Sequence, residues 1–193
     1  MSKTKHPLSS SPLMNRSPLV YAWNASTGDG PMSLSRLATE AGEWTDATFG
    51  PQRPPDKALA HLADEVDEVA ANPHDWSEYA DCLLLIIDAA RCAGFGVQEV
   101  SKLTADVLTA GYRHAAVERS EAAIGSLRVF VSQLRENPYD IELYARTLAL
   151  LIYAARCVEL RPMMLLRWAF AKLQVNRERT WAPDQVGIWR HVK

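Results

Sequence analysis

Asn72-Pro73-His74-Asp75 returns 65 residues later as Asn137-Pro138-Tyr139-Asp140, and a chain built on such a duplication has few folds open to it. Extended to Cys92 and Cys157, the same offset aligns 21 positions, of which 12 are identical. Unrelated helices would match at roughly one or two by composition alone. Around this repeat the apolar residues follow a helical period. Leu34, Leu37, Ala41, Trp44 and Thr48 predict a helix over 33–48 with Ser33 as N-cap, closed by Gly50 and the prolines at 51, 54 and 55. Leu59, Leu62, Val66 and Val69 mark a second helix over 56–71. After Asn72-Pro73, Asp75 caps a third that runs to Ala93 and is apolar nearly all round, as a helix at the centre of a bundle must be.

A fourth helix is expected over 97–109, and the offset places the later ones at 117–136, 140–158 and 162–180. No stretch keeps a period of two, so no sheet is expected and the fold class is all-α, a bundle with an internal pseudo-twofold repeat of helical hairpins. Residues 1–32, rich in Ser, Pro, Asn and Gly, read as a loosely ordered arm with Val20, Tyr21 and Trp23 docked on the body. Residues 33–181 form a single domain, with copy one at 56–113 and a degenerate copy two at 117–180, and 182–193 form a tail. Trp181 and Trp189 can pin that tail, and Trp168 fits the core of copy two.

Composition closes off other classes. Hydrophobic residues at 48% and charged residues at 23% suit a chain that buries a core. The strongest apolar run, Cys82 to Ala90, contains Asp88 and is too short for a membrane span. A net charge of −2 argues against a nucleic-acid binder. Cys82, Cys92 and Cys157 are odd in number and lack CxxC spacing, which points to reduced thiols and a cytoplasmic protein. The N-terminus lacks the apolar core of a secretion signal.

The two copies differ in their charges. Glu65, Glu68, Glu78 and Asp81 correspond to Phe130, Gln133, Leu143 and Arg146, while Lys172, Asn176 and Arg179 correspond to Val107, Gly111 and His114. Acids survive in one copy and the cationic cluster in the other, which implies one composite site. Glu65 and Glu68, like Glu78 and Asp81, are three residues apart and share a helical face. A hairpin brings the pairs together. Four such carboxylates suit hard cations, Mg²⁺ or Mn²⁺, not zinc, although each taken singly reads as solvated surface charge. Asp64 and Asp67 point elsewhere as surface charge, and Asp88 reads equally as a buried capping group or as support for the site.

Residues 56–81 carry −7 and residues 161–193 carry +5, as expected of a metal wall facing a phosphate wall. Lys172, Asn176 and Arg179 lie on one helical face and make a reasonable set for a polyphosphate, or a solvated basic face. There is no P-loop. His61 can face a ligand or be structural. Trp44 and Phe49 can stack on a base or serve only in the core.

Trp44 with Thr48-Phe49-Gly50-Pro51, His61-Leu62-Ala63-Asp64-Glu65, Glu78-Tyr79-Ala80-Asp81, Asp88-Ala89-Ala90-Arg91 and the run from Lys172 to Trp181 together give a resemblance. The chain resembles the MazG-like all-α nucleoside triphosphate pyrophosphohydrolases, in particular the dATP/dGTP diphosphohydrolase group common in bacteriophages. The resemblance spans about 44–193. It departs from many relatives in a short link, nine residues between Glu68 and Glu78, and in the degenerate copy that precedes the cationic helix.

What the resemblance implies is cleavage of a purine deoxynucleoside triphosphate, dGTP or dATP, to the monophosphate and pyrophosphate. Two or three Mg²⁺ ions, replaceable by Mn²⁺, would be held by Glu65, Glu68, Glu78 and Asp81, with Glu65 or Glu68 taking a proton from water. Lys172, Asn176 and Arg179 would bind phosphate, and Trp44, Phe49 and His61 the base. Family members work as homo-oligomers, dimers or tetramers, and the fused half can replace a partner subunit. The cellular role implied is remodelling or sanitation of the deoxynucleotide pool, in host cytoplasm if the source is viral. No nucleic acid or membrane partner is expected. The competing expectation is a metal-dependent nucleotide sensor or helical interaction protein that no longer turns over.

Overall fold

The computed structural model describes residues 22–23, 30–110 and 120–192. Most of the expected N-terminal arm, with Val20 and Tyr21, lies outside the described residues, as do Gly111 and His114. Trp23 is docked as expected: it is buried, and its indole N–H donates to the Ser101 carbonyl at 3.3 Å.

Seven helices have described bounds: α1 (Leu34–Phe49), α2 (Asp56–Ala71), α3 (Trp76–Cys92), α4 (Val97–Thr109), α5 (Ser120–Glu136), α6 (Ile141–Cys157) and α7 (Pro162–Glu178). Their ends follow local chemistry. The Ser33 hydroxyl accepts from the Arg36 N–H at 3.2 Å, closing the first turn of α1, and Gly50 ends that helix at φ 89°, a backbone region that only glycine enters readily. Asp75 caps α3 by accepting from the Ser77 N–H, and Asp140 caps α6 by accepting from Glu142 and Leu143. Pro162 opens α7, where its missing N–H costs nothing.

α2 packs on α3 and α5 on α6 as two hairpins, and α2 also lies against α5. α3 is covered by α1, α6 and α7, which accounts for its apolar character on nearly every face. Tyr79 and Tyr144, aligned by the 65-residue offset, each donate a hydroxyl to the proline carbonyl of their own turn, Pro73 at 3.2 Å and Pro138 at 3.0 Å. No described helix is long and apolar enough to cross a membrane.

The class is all-α, but two expectations need correction. Residues beyond α7 form an antiparallel ribbon, β1 (Thr180–Pro183) with β2 (Trp189–Val192), in which Thr180 faces Val192 and Pro183 faces Trp189. Asp184 builds its turn by accepting from the N–H groups of Val186 and Ile188, and Gly187 supplies a positive φ of 78°. Trp168 is also not a core residue. Leu165, Leu166, Ala169 and Leu173 take the inward face of α7, and Trp168 lies beside them, 39% exposed, with its ring against Trp76 at 6.4 Å.

Candidate active site

The α2–α3 hairpin sets the acidic centre. On α2, Glu65 falls within the inward stripe of Leu62, Val66 and Val69 and is only 8% exposed. Across the short link, Glu78 lies in the first turn of α3 and Asp81 in the next. One carboxylate oxygen from each of Glu65, Glu78 and Asp81 lies within 4.8 Å of the others. His61, one turn before Glu65, places Nε2 at 2.9 Å from its Oε1. Glu68 is exposed at the rim of the same cavity, outside the three-carboxylate cluster.

The second half reaches this centre through α7. Lys172 Nζ lies 2.5 Å from Asp81 Oδ2. Asn176, one turn on, is buried, and its side-chain oxygen accepts from Arg179 at 3.3 Å. Burial pushes Glu78 up to about 7; Lys172 opposes the shift, while a hydrogen bond with Glu65 and the charges of Glu65 and Asp81 add to it. Burial likewise raises Asp81 to about 6 against the pull of Lys172. For Lys172 itself burial favours the neutral amine, but the Asp81 hydrogen bond and the surrounding carboxylates outweigh it and hold the ammonium above its ordinary value. Three hard oxygen donors this close, still acidic in excess of the one lysine, form a donor set that could hold a metal ion.

All ten residues singled out from the sequence line one cavity of about 370 Å³. Trp44, Phe49 and His61 are among them. The aromatics pack on one another: Trp44 and Phe49 are 5.3 Å apart, and Trp181 lies 5.8 and 5.5 Å from them, each edge to face. Trp189 lies 5.1 Å from Phe49. The ribbon is therefore a wall of the cavity.

Sequence reasoning missed several lining residues. Trp189, Arg190 and His191 line the cavity because β2 returns along β1, and the Pro183-Asp184…Gly187 turn was the available signal. Arg53 lies in the link between α1 and α2, where no period marks it. Asp88 resolves as the buried hub of a network. It accepts both terminal nitrogens of Arg53 at 3.1 and 2.8 Å, the Thr45 hydroxyl at 3.0 Å and Arg91 at 3.3 Å, while Arg91 also grips Asp46. Asp64 and Asp67 do turn away from the acidic centre, but each holds an ion pair, with Arg190 and Arg128.

Fold and site define an all-α protein with a carboxylate cluster faced by a cationic helix. The comparison with known families narrows this class: the family model for dATP/dGTP pyrophosphohydrolase matches residues 37–111, from α1 to just beyond α4. On an all-helical chain that match agrees with the MazG-like resemblance of the sequence and supports nucleotide pyrophosphohydrolase chemistry. No curated protein and no solved structure matches the chain.

Proposed function

We propose that the protein is a Mg²⁺-dependent pyrophosphohydrolase that converts a purine deoxynucleoside triphosphate, dGTP or dATP, to the monophosphate and pyrophosphate. The observation that carries this reading is the meeting of three carboxylates and a cationic helix in one cavity, with the carboxylates inside the stretch matched by the pyrophosphohydrolase family. Glu65, Glu78 and Asp81 would hold the cation, with Glu68 joining from the rim. When bound, the cation supplies positive charge that neutralises and polarises the phosphate oxygens.

The chain's own residues account for the remaining work. Glu65, or Glu68 at the rim, accepts the proton of the attacking water, and the His61 contact fixes the orientation of the Glu65 carboxylate. Lys172, Asn176 and Arg179 bind the phosphates and offset the charge that develops on the leaving pyrophosphate. Trp44, Phe49 and His61 hold the base end. In a cell, this reaction removes a purine deoxynucleoside triphosphate and supplies its monophosphate, a remodelling of the pool.

The test is pyrophosphate release from each common ribo- and deoxyribonucleoside triphosphate, with Mg²⁺, with Mn²⁺ and with EDTA. Release is expected to need the metal and to be strongest for dGTP or dATP, with the monophosphate as co-product. Asp81→Ala is expected to lower turnover at least about 100-fold, the upper range seen when even the outer partners of metal ligands are lost. Full turnover in that variant, or in EDTA, overturns the scheme. Tight nucleotide binding without release would identify a sensor instead.

A further inference from the structure

Lys172 has one ammonium and two partners within its reach. In the proposed reaction it binds phosphate, but its Nζ lies 2.5 Å from Asp81 Oδ2. The two side chains are 15% and 13% exposed, so this is not the weak contact of two solvated surface charges. Lys172 also lines the same cavity as Glu65, Glu78 and Asp81. An ammonium is a compact point charge on a flexible four-carbon stem, and it can change partners within a cavity while its helix stays in place.

The other lysine and the arginines that line the cavity are engaged elsewhere. Arg53 lies on Asp88, Arg190 pairs with Asp64, and Arg179 donates to Asn176. Lys57 donates to the Val186 carbonyl, and along α2 it is eight residues from Glu65, about 12 Å at ~1.5 Å per residue. Among the described residues, the carboxylate cluster is met by Lys172 on Asp81 and by the His61 ring on Glu65. Lys172 therefore brings the ammonium charge to the cluster. A divalent ion held by the same carboxylates takes over that neutralising role, and two cations beside one carboxylate repel each other.

We propose that Lys172 is a place-holding cation that links the metal to the nucleotide: it neutralises the cluster until a divalent ion binds there, and then passes to the phosphates. This rests on the reading of the cluster as a metal site, and the test separates the two. A lysine that served phosphate alone would leave the affinity for metal unchanged when removed. A place-holder opposes the metal, so its removal strips Asp81 of its partner and tightens metal binding with no nucleotide present. In the wild-type protein, phosphate that draws the ammonium away tightens the metal, and by linkage the metal tightens phosphate by the same factor.

The test is calorimetric titration of Mn²⁺ into nucleotide-free wild type, Lys172→Met and Lys57→Met at one fixed pH. Lys172→Met is expected to bind Mn²⁺ at least about fivefold tighter than wild type, the lower end of an ordinary coupling between two ligands. Lys57→Met removes the same charge from the far end of the cavity and should bind Mn²⁺ as wild type does. Equal or weaker binding in Lys172→Met, or an equal gain in both variants, overturns the inference while the metal site stands. Failure of all three proteins to bind Mn²⁺ removes the metal site and the inference with it. Should Lys172→Met fail to fold, the wild-type protein decides the matter. Acetylation of Lys172 by acetic anhydride, read by peptide mass spectrometry against Lys57, should rise several-fold when Mn²⁺ is added. Labelling that Mn²⁺ leaves unchanged or lowers overturns the inference.

Discussion

Glu78 and Asp81, raised by burial to about 7 and about 6, keep their protons at pH values where surface carboxyls have lost theirs. Their ordinary values are 4.5 and 3.8. Between the ordinary and raised values the folded chain binds more protons than the unfolded chain, so their contribution to stability is fully present below the ordinary values and is lost as pH rises through about 6 and about 7. Differential scanning calorimetry of metal-free protein should therefore show Glu78→Gln with a flatter fall of Tm across this window than wild type, and parallel profiles would contradict the assignment. Mg²⁺ competes with protons for the same oxygens, so its stabilisation should be greater at pH 8 than at pH 5. The residue pairs themselves were legible, because a three-residue spacing on a helix fixes a shared face. Which member turns fully inward was decided by the stripe: Glu65 lies with Leu62, Val66 and Val69, while Glu68 sits at the rim. Arg53 carried no comparable mark, since its position depends on Asp88, 35 residues away.

Among the elements, the ribbon was the least legible. Its strands have four residues each, too few for an alternating pattern, and their docking depends on α2. Lys57 donates to the Val186 carbonyl at 2.6 Å, and Arg190 pairs with both Asp64 and Asp184. The helices, by contrast, each bury a stripe long enough to be read as a period. The ring contact of Trp189 with Phe49 at 5.1 Å holds the ribbon to the end of α1. Trp189→Ala should lower stability by about 1 kcal/mol for the lost aromatic pair, measured by urea denaturation. It should also raise the KM for the nucleotide more than it lowers kcat, because the phosphate end is untouched. A variant with wild-type KM would mean that the ribbon does not bear on the substrate. Asp64→Asn should cost less, since its pair with Arg190 is partly exposed and such pairs contribute about 0–1 kcal/mol.

Across the whole molecule, the acidic centre comes from α2 and α3 in the first half, and its lysine comes from α7 in the second. The family match ends at residue 111, so Lys172 and Asn176 on α7, and Arg179 just past its end, lie outside it. The opposite charges of the two halves were visible in the sequence; that they meet within one chain was not, because it depends on the packing of α7 against α3. The packing of α7 on α3 predicts a site completed within one chain, whatever the oligomeric state, and mixed variants test this prediction. Asp81→Ala and Lys172→Ala are each expected to abolish pyrophosphate release, and the two proteins can then be co-expressed in equal amounts with the same tag and purified together. If the sites were shared across a dimer interface, random mixing would rebuild one intact site in half of the dimers and restore about a quarter of the activity per chain. With both residues supplied in cis, every chain in the mixture carries one defect in its own site, and release should stay at the level of the separate variants. Recovery toward a quarter would place Lys172 opposite a neighbour's Asp81 in the working enzyme and would reassign the second half from completing its own site to completing its partner's.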